Sequence, residues 1–264
     1  MRLGISTACL YPMEPEKALP VLAEMDFRLF EIFLNTFSEL NSEYLAGLKK
    51  TVDEKGAAVK SIHPFTSGFE SFLLFSDYER RFQDGLELYK QYFQAANILG
   101  AEILVLHGQR KDQNRITEQE YFEHYAKLYA LGKTFGITVA QENINLFRSN
   151  EPDFIQRMRR YLKKDCAFVL DVKQAVRGGK DPFDVCDAMG KSLVHVHLND
   201  NNNEHDCLLP GCGTMNFEPL IEKLRGFEFQ GDLMIEVYRD SFRDLNEIKA
   251  AKQVAEKLLY QPFK

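Results

Sequence analysis

Several short apolar runs of this chain close on an ionisable side chain. Ala58-Val-Lys-Ser-Ile leads to His63, Ile103-Leu-Val-Leu to His107, Ile137-Thr-Val-Ala-Gln to Glu142 and Ala167-Phe-Val-Leu to Asp171. Leu193-Val leads into His195-Val-His197 and then Asp200, and Leu233-Met-Ile ends at Glu236. A lone histidine in such a place is more often a satisfied structural residue than a ligand. A whole series of carboxylates and imidazoles at equivalent positions is a donor set of hard to borderline character, suited to Mn, Mg, Co or Zn. Carboxylates that converge without a cation repel one another. A divalent metal is the simplest compensation, and an ion-pair network with Lys or Arg is the alternative. Because strand side chains alternate, His195 and His197 point the same way. His197, nearer the strand end, is expected to reach the site, with His195 behind it to orient a ligand.

For these groups to meet, the runs that carry them must be neighbouring strands. Eight runs read as strands, the six above together with Leu3-Gly-Ile-Ser-Thr and Phe27-Arg-Leu-Phe-Glu-Ile-Phe-Leu. Each is short and nearly continuously apolar, as strands buried on both faces are. Spread over 264 residues, eight runs give a repeat of about 33 residues, one strand-plus-helix unit. Between them Ser76-Asp-Tyr-Glu79 and Thr117-Glu-Gln-Glu120 predict capping boxes, and Gly56, Gly100 and Gly136 predict left-handed helix ends. Leu86, Tyr89, Phe93, Ala96 and Leu99 follow helical spacing and form an inward apolar stripe.

Eight such units without a long linker predict an α/β fold, a closed, parallel, eight-stranded (β/α)8 TIM barrel, as a single domain over residues 1–264. The C-terminal strand ends of that fold line its active site. No GxGxxG follows the first strand, so a dinucleotide fold lacks its support. Gly108, Gly178-Gly179, Gly211 and Gly213 read as turns.

Composition bounds the function. There are 33 Lys+Arg against 39 Asp+Glu, a formal charge of −6, which argues against a nucleic-acid surface. The five cysteines, Cys9, Cys166, Cys186, Cys207 and Cys212, include no CxxC pair and resemble no disulfide framework. No secretory h-region opens the chain, and no window approaches 18 uninterrupted apolar residues. A cytoplasmic, reducing setting without membrane contact is expected.

The ordered set Ser-Ile-His63-Pro, Leu-His107-Gly, Glu142-Asn, Leu-Asp171, His195-Val-His197-Leu-Asn-Asp200, Pro210-Gly-Cys-Gly and Ile-Glu236-Val resembles the xylose isomerase-like TIM-barrel superfamily. That group includes sugar isomerases, ketose 3-epimerases, inosose dehydratases and abasic-site nucleases of the endonuclease-four type. The resemblance spans nearly the whole chain. It is specific for the superfamily and weakly specific within it.

The resemblance implies one divalent metal ion, held at the positions of Glu142, Asp171, His197 and Glu236, with the two glutamates also acting as the acid/base pair. His63 and His107 match positions that bind extra zinc in the nuclease and contact substrate in the isomerases. Gln174 stands where a histidine is frequent, and its amide can hydrogen-bond a sugar hydroxyl; His195 completes the residues expected around a substrate. Asp206-Cys207 replaces an Asp-His pair, so the nuclease's third zinc site is incomplete. Cys207 could hold a soft metal as a thiolate, although a buried, inert cysteine is commoner. The arginine that follows the metal-binding histidine in ketose 3-epimerases has no counterpart in Asn201-Asn-Asn-Glu.

The expectation is therefore a metal-dependent sugar or sugar phosphate isomerase or epimerase, working by proton transfer through an enediolate on a small carbohydrate. A keto-inositol dehydratase shares its first step. An abasic-site phosphodiesterase is the runner-up, weakened by the overall charge and by basic clusters (residues 110–115 and 157–164) that are mixed with acids or lie in helices. A homo-oligomer stays open.

Overall fold

In the computed structural model, residues 1–113 and 115–260 are described; the last four residues of the expected 1–264 domain lie outside them. Eight parallel strands close on themselves in the order β1 to β8. They are β1 (Leu3–Ser6), β2 (Leu29–Leu34), β3 (Ala58–Pro64), β4 (Ile103–Leu106), β5 (Thr138–Glu142), β6 (Ala167–Asp171), β7 (Leu193–Leu198) and β8 (Asp232–Ile235). The last is paired to β1 through Leu3 and Leu233, which completes the barrel foreseen from the eight apolar runs. His107 and Glu236 each lie one residue beyond their strand, in the loops at its mouth.

Helices α1 (Pro15–Glu24), α2 (Ser42–Glu54), α3 (Ser67–Leu73), α4 (Glu79–Leu99) and α5 (Glu118–Thr134) accompany the first half of the barrel. They are followed by α6 (Pro152–Leu162), α7 (Val172–Arg177), α8 (Pro182–Met189), α9 (Glu218–Gly226) and α10 (Leu245–Tyr260). The larger core lies between helices and strands. Leu104, Leu106, Val139, Phe168, Leu170, Val196 and Leu198 face it, and Tyr89, Phe93, Ala96 and Leu99 of α4 pack into it. A smaller apolar cluster of Ile103, Val105, Ala140, Ala167 and Val169 fills the barrel interior. Since side chains alternate, this inner face places Ala140 below Glu142 and Val169 below Asp171.

Local signals mostly hold. Thr117 and Glu120 form the reciprocal capping box at the start of α5, and Gly56, Gly100 and Gly136 all have positive φ. The box expected at Ser76 does not form. Its hydroxyl accepts from Tyr78 N in a tight turn, and Glu79 is engaged by Gln83 instead, so α4 begins without a side-chain cap. Among the described residues no helix is long and apolar enough to cross a membrane, and all five cysteines are unpaired.

Candidate metal centre and cleft

Parallel pairing sets His197 of β7 directly beside Asp171 of β6. Glu142 ends the preceding strand, and Glu236 follows β8, where its N–H donates to Leu198 O. One ligand atom from each of Glu142, Asp171, His197 and Glu236 lies within 4.8 Å of all the others. His197 Nδ1 is their meeting point, 2.9 Å from Glu142 Oε1, 3.3 Å from Glu236 Oε2 and 3.8 Å from Asp171 Oδ2. All four residues are buried.

Two asparagines hold this ring in place. Asn143 bridges β5 to β6, donating to Asp171 O and accepting from Asp171 N. Asn199 donates to Asp171 Oδ1, which also accepts from Gln174 N at the start of α7. That leaves Asp171 Oδ2 for a cation. Glu142 Oε2 is buried and accepts no hydrogen bond; its basic neighbours are His63 Nε2 at 3.5 Å and His107 Nε2 at 3.9 Å. Three carboxylates and one imidazole, with Glu142 Oε1, Asp171 Oδ2 and Glu236 Oε2 all turned toward His197 Nδ1, fit a divalent metal of the Mn, Mg, Co or Zn type.

A second compensation is present, the ion-pair alternative left open by the residue types alone. Lys173 Nζ lies 2.7 Å from Asp171 Oδ2 and 2.7 Å from Glu236 Oε2. Its side chain is 4% exposed. Lysine at this position escaped the sequence reading, and its only signal is a cationic residue two places after a strand-end aspartate.

Beneath the ring lies a polar layer that was also missed. Glu31, in the middle of β2, is fully buried; its Oε2 is 3.1 Å from His197 Nε2 and 3.2 Å from His195 Nε2. Ser61 Oγ donates to the same oxygen. Because β3 and β7 are not neighbours, the 3.2 Å contact of Ser61 with His195 crosses the barrel interior. A lone charge inside the apolar strand Leu29–Leu34 was the available signal for Glu31. His195 thus stands behind His197 as a supporting residue. It does not line the cleft, which corrects its expected place at the substrate.

The charges follow from this packing. Burial opposes ionisation of Glu31 and Glu142, but neighbouring histidines, His197 above all, outweigh it and hold both pKa values well below the ordinary value. Asp171 is likewise lowered, against burial, by Lys173 and His197. Burial disfavours the His197 imidazolium, yet Glu236, Glu31 and Glu142 together push its pKa well up. His195, where burial dominates, is shifted down and is held neutral.

Above the ring opens a cleft of 490 Å³, within the usual range for a small-molecule pocket. Glu142, Glu236, His63, His107, Lys173 and Gln174 line its polar side, and Phe33, Phe65, Phe147 and Tyr238 are among its aromatic walls. His63 stacks on Phe33 with ring centroids 4.7 Å apart. His107 Nδ1 is 3.2 Å from Glu70 Oε1, a buried carboxylate of α3 that also accepts from Tyr89 and from Gly108 N. Nε2 of His107 is thereby turned toward Glu142. No feature of the sequence pointed to Glu70.

Asp200, counted among the strand-end groups, turns away from the ring. Its carboxylate accepts from the backbone N–H groups of Asn201, Gly211, Gly213 and Met215 and so organises the Pro210–Gly213 turn. A Cβ at Gly213 would lie 2.3 Å from Asp200 Oδ1, which explains glycine there. Asp206 pairs bidentately with Arg177. Cys207 is buried, its thiol pKa raised by burial, as an inert cysteine would be.

The family model described as xylose isomerase-like TIM barrel matches residues 19–260. An uncharacterized protein of Mycobacterium tuberculosis is 26% identical, over 94% of this chain and 92% of that protein. One of Methanocaldococcus jannaschii is 22% identical, over 89% and 83%. Among solved structures, a D-tagatose 3-epimerase-like protein superposes with a TM-score of 0.80 at 20% identity, covering 98% of this chain and 97% of that one. The 3-keto-D-glucoside 4-epimerase of E. coli superposes with a TM-score of 0.73 at 18% identity, covering 98% of each. At such identities the structural likeness establishes the barrel.

Proposed function

This chain belongs to the xylose isomerase-like TIM-barrel family, and from that premise we propose that it is a divalent-metal-dependent sugar isomerase or epimerase. The observation that carries the reading is the convergence of Glu142, Asp171, His197 and Glu236 at the base of a cleft with aromatic walls. The epimerases among the structures of the same fold support it.

A metal held by these four residues would supply Lewis acidity toward a carbonyl or ketose oxygen. The proton chemistry belongs to Glu142 and Glu236. Both reach the cleft, and both approach His197 Nδ1, Glu142 from the end of β5 and Glu236 from just beyond β8. Glu142 is held ionised by its histidines and is the group poised to take a proton from the carbon beside the carbonyl. Glu236, once it has taken a proton from water in the cleft, is placed to deliver it. An enediolate thus forms and collapses between a carboxylate and a carboxylic acid, and loss of the Glu142 proton to solvent resets the pair. His63, His107 and Gln174 offer hydrogen bonds to hydroxyls, while the Phe33, Phe65 and Phe147 walls exclude water from the apolar face of a sugar. Lys173 is the one lysine or arginine among the described residues lining the cleft, and it is already paired.

The test is a screen of ketoses and aldoses with manganese-loaded protein in deuterium oxide. Isomerised or epimerised product with deuterium at the reacting carbon is expected. A hydride shift would leave that carbon unlabelled and would remove the assigned roles of Glu142 and Glu236.

A further inference from the structure

Lysine is an unusual companion for a metal centre, because its ammonium and the ion want the same oxygens. Here the overlap is specific. Asp171 Oδ1 is taken by Asn199 and Gln174, so Oδ2 is the oxygen left for a cation, and it is the oxygen that Lys173 holds at 2.7 Å. Glu236 offers Oε2 both to His197 Nδ1, at 3.3 Å, and to Lys173, at 2.7 Å. Two of the three carboxylates of the centre thus give the ammonium the same oxygen that they turn toward His197 Nδ1.

We propose that Lys173 is the resident cation of this centre, neutralising Asp171 and Glu236 in the metal-free protein and yielding both oxygens when a divalent ion enters. The inference rests on the metal-centre reading given above and adds a competitor to it. Without Lys173, the ring of buried carboxylates would face imidazoles alone, and their mutual repulsion would open it. With Lys173, the ring is assembled before the ion arrives. The cost is affinity, since an ammonium and a divalent ion within a few ångströms repel in a low-dielectric site.

The fold also provides a place for the ammonium to go. Lys173 sits on the first turn of α7 with a flexible four-carbon stem, and its Nζ is 5.3 Å from the centroid of the Tyr238 ring. That ring lines the cleft and can stabilise a cation on its face. Displaced toward it, Lys173 becomes a donor at the cleft wall, available to a sugar hydroxyl.

The experiment compares Mn(II) affinity, by competition with a chelating indicator, in the wild-type chain, Lys173→Met and Lys173→Arg. Methionine keeps the stem without the charge and should bind at least about tenfold tighter. Arginine keeps the charge and should stay near wild type. In EDTA, Lys173→Met should melt below wild type, and added manganese should close that gap. If Lys173→Met does not fold, the wild-type chain still decides, because amine labelling read by mass spectrometry should find Lys173 protected in EDTA and reactive with manganese. Tighter binding by Lys173→Met while the wild type binds nothing supports the inference and overturns metal dependence of the native protein. Equal or weaker binding by Lys173→Met, labelling of Lys173 that ignores manganese, or no binding by any variant overturns the inference. Sugar turnover is measured separately and judges the proposed function by itself.

Discussion

Nε2 of His197 lies 3.1 Å from Oε2 of Glu31, a carboxylate without solvent exposure. A carboxylate behind an imidazole fixes its tautomer and raises its basicity as a ligand, because Nε2 keeps the proton and Nδ1 keeps the lone pair. Glu31→Gln should therefore lower Mn(II) affinity by about 10- to 100-fold while the fold survives. Glu31→Ala, which strands two histidines, should cost about 3–5 kcal/mol of stability. Indicator competition and urea unfolding read the two effects, and unchanged affinity in Glu31→Gln would remove Glu31 from the centre.

Stability of the metal-stripped protein should fall on both sides of a plateau. Burial opposes ionisation of Glu31, Glu142 and Asp171, yet their partners lower all three pKa values. Their contribution is present above the unfolded value of about 4 and is lost as pH falls through the lower folded values. His197 is raised, against burial, by Glu236, Glu31 and Glu142. Its contribution is complete below the unfolded imidazole value of about 6.5 and is lost as pH rises through the folded value. Melting in EDTA across the pH range should show both declines, and His197→Asn should flatten the alkaline one. A wild-type profile that stays level into strong alkali would contradict the charge assignment.

Glu142→Gln and Glu236→Gln should each reduce turnover of the true sugar by about 10²- to 10⁴-fold, because an amide can neither take the proton as Glu142 does nor deliver one as Glu236 does. Product carrying solvent deuterium at the reacting carbon should vanish in both. Retained labelling in either variant would transfer its role to another base.

Asp200→Ala separates loop organisation from ligation. Four backbone donors lose a buried carboxylate, so a loss of about 3 kcal/mol is expected. Manganese should still bind at the same stoichiometry, measured by elemental analysis. A variant that folds but binds no metal would restore Asp200 as a ligand.

Incision of an abasic duplex at near-physiological salt should be undetectable. Gln174 stands where the nuclease-like site expects a histidine, and Asp206 is spent on Arg177. The overall charge of −6 also opposes the counterion release that drives DNA affinity. Robust cleavage by protein free of contaminating nuclease would reverse the functional proposal.

By itself the sequence determined the eight strands, their alternation with helices and the strand-end positions of His63, Glu142, Asp171 and His197. Those features are local, written in the length and apolar continuity of each run, and barrel closure then carries the residues to one mouth. Only the tertiary structure decided which groups touch. Glu31 reaches His197 and His195 from a different part of the barrel, and Ser61 meets His195 across its interior. Lys173 could have turned outward; its flexible stem folds back because two buried carboxylates await it. Asp200 looks in sequence like another ligand, but the Gly211 and Gly213 N–H groups that capture it come from a loop a dozen residues on. Spacing along a chain determines which face a side chain occupies, whereas its partner depends on elements packed from elsewhere in the sequence.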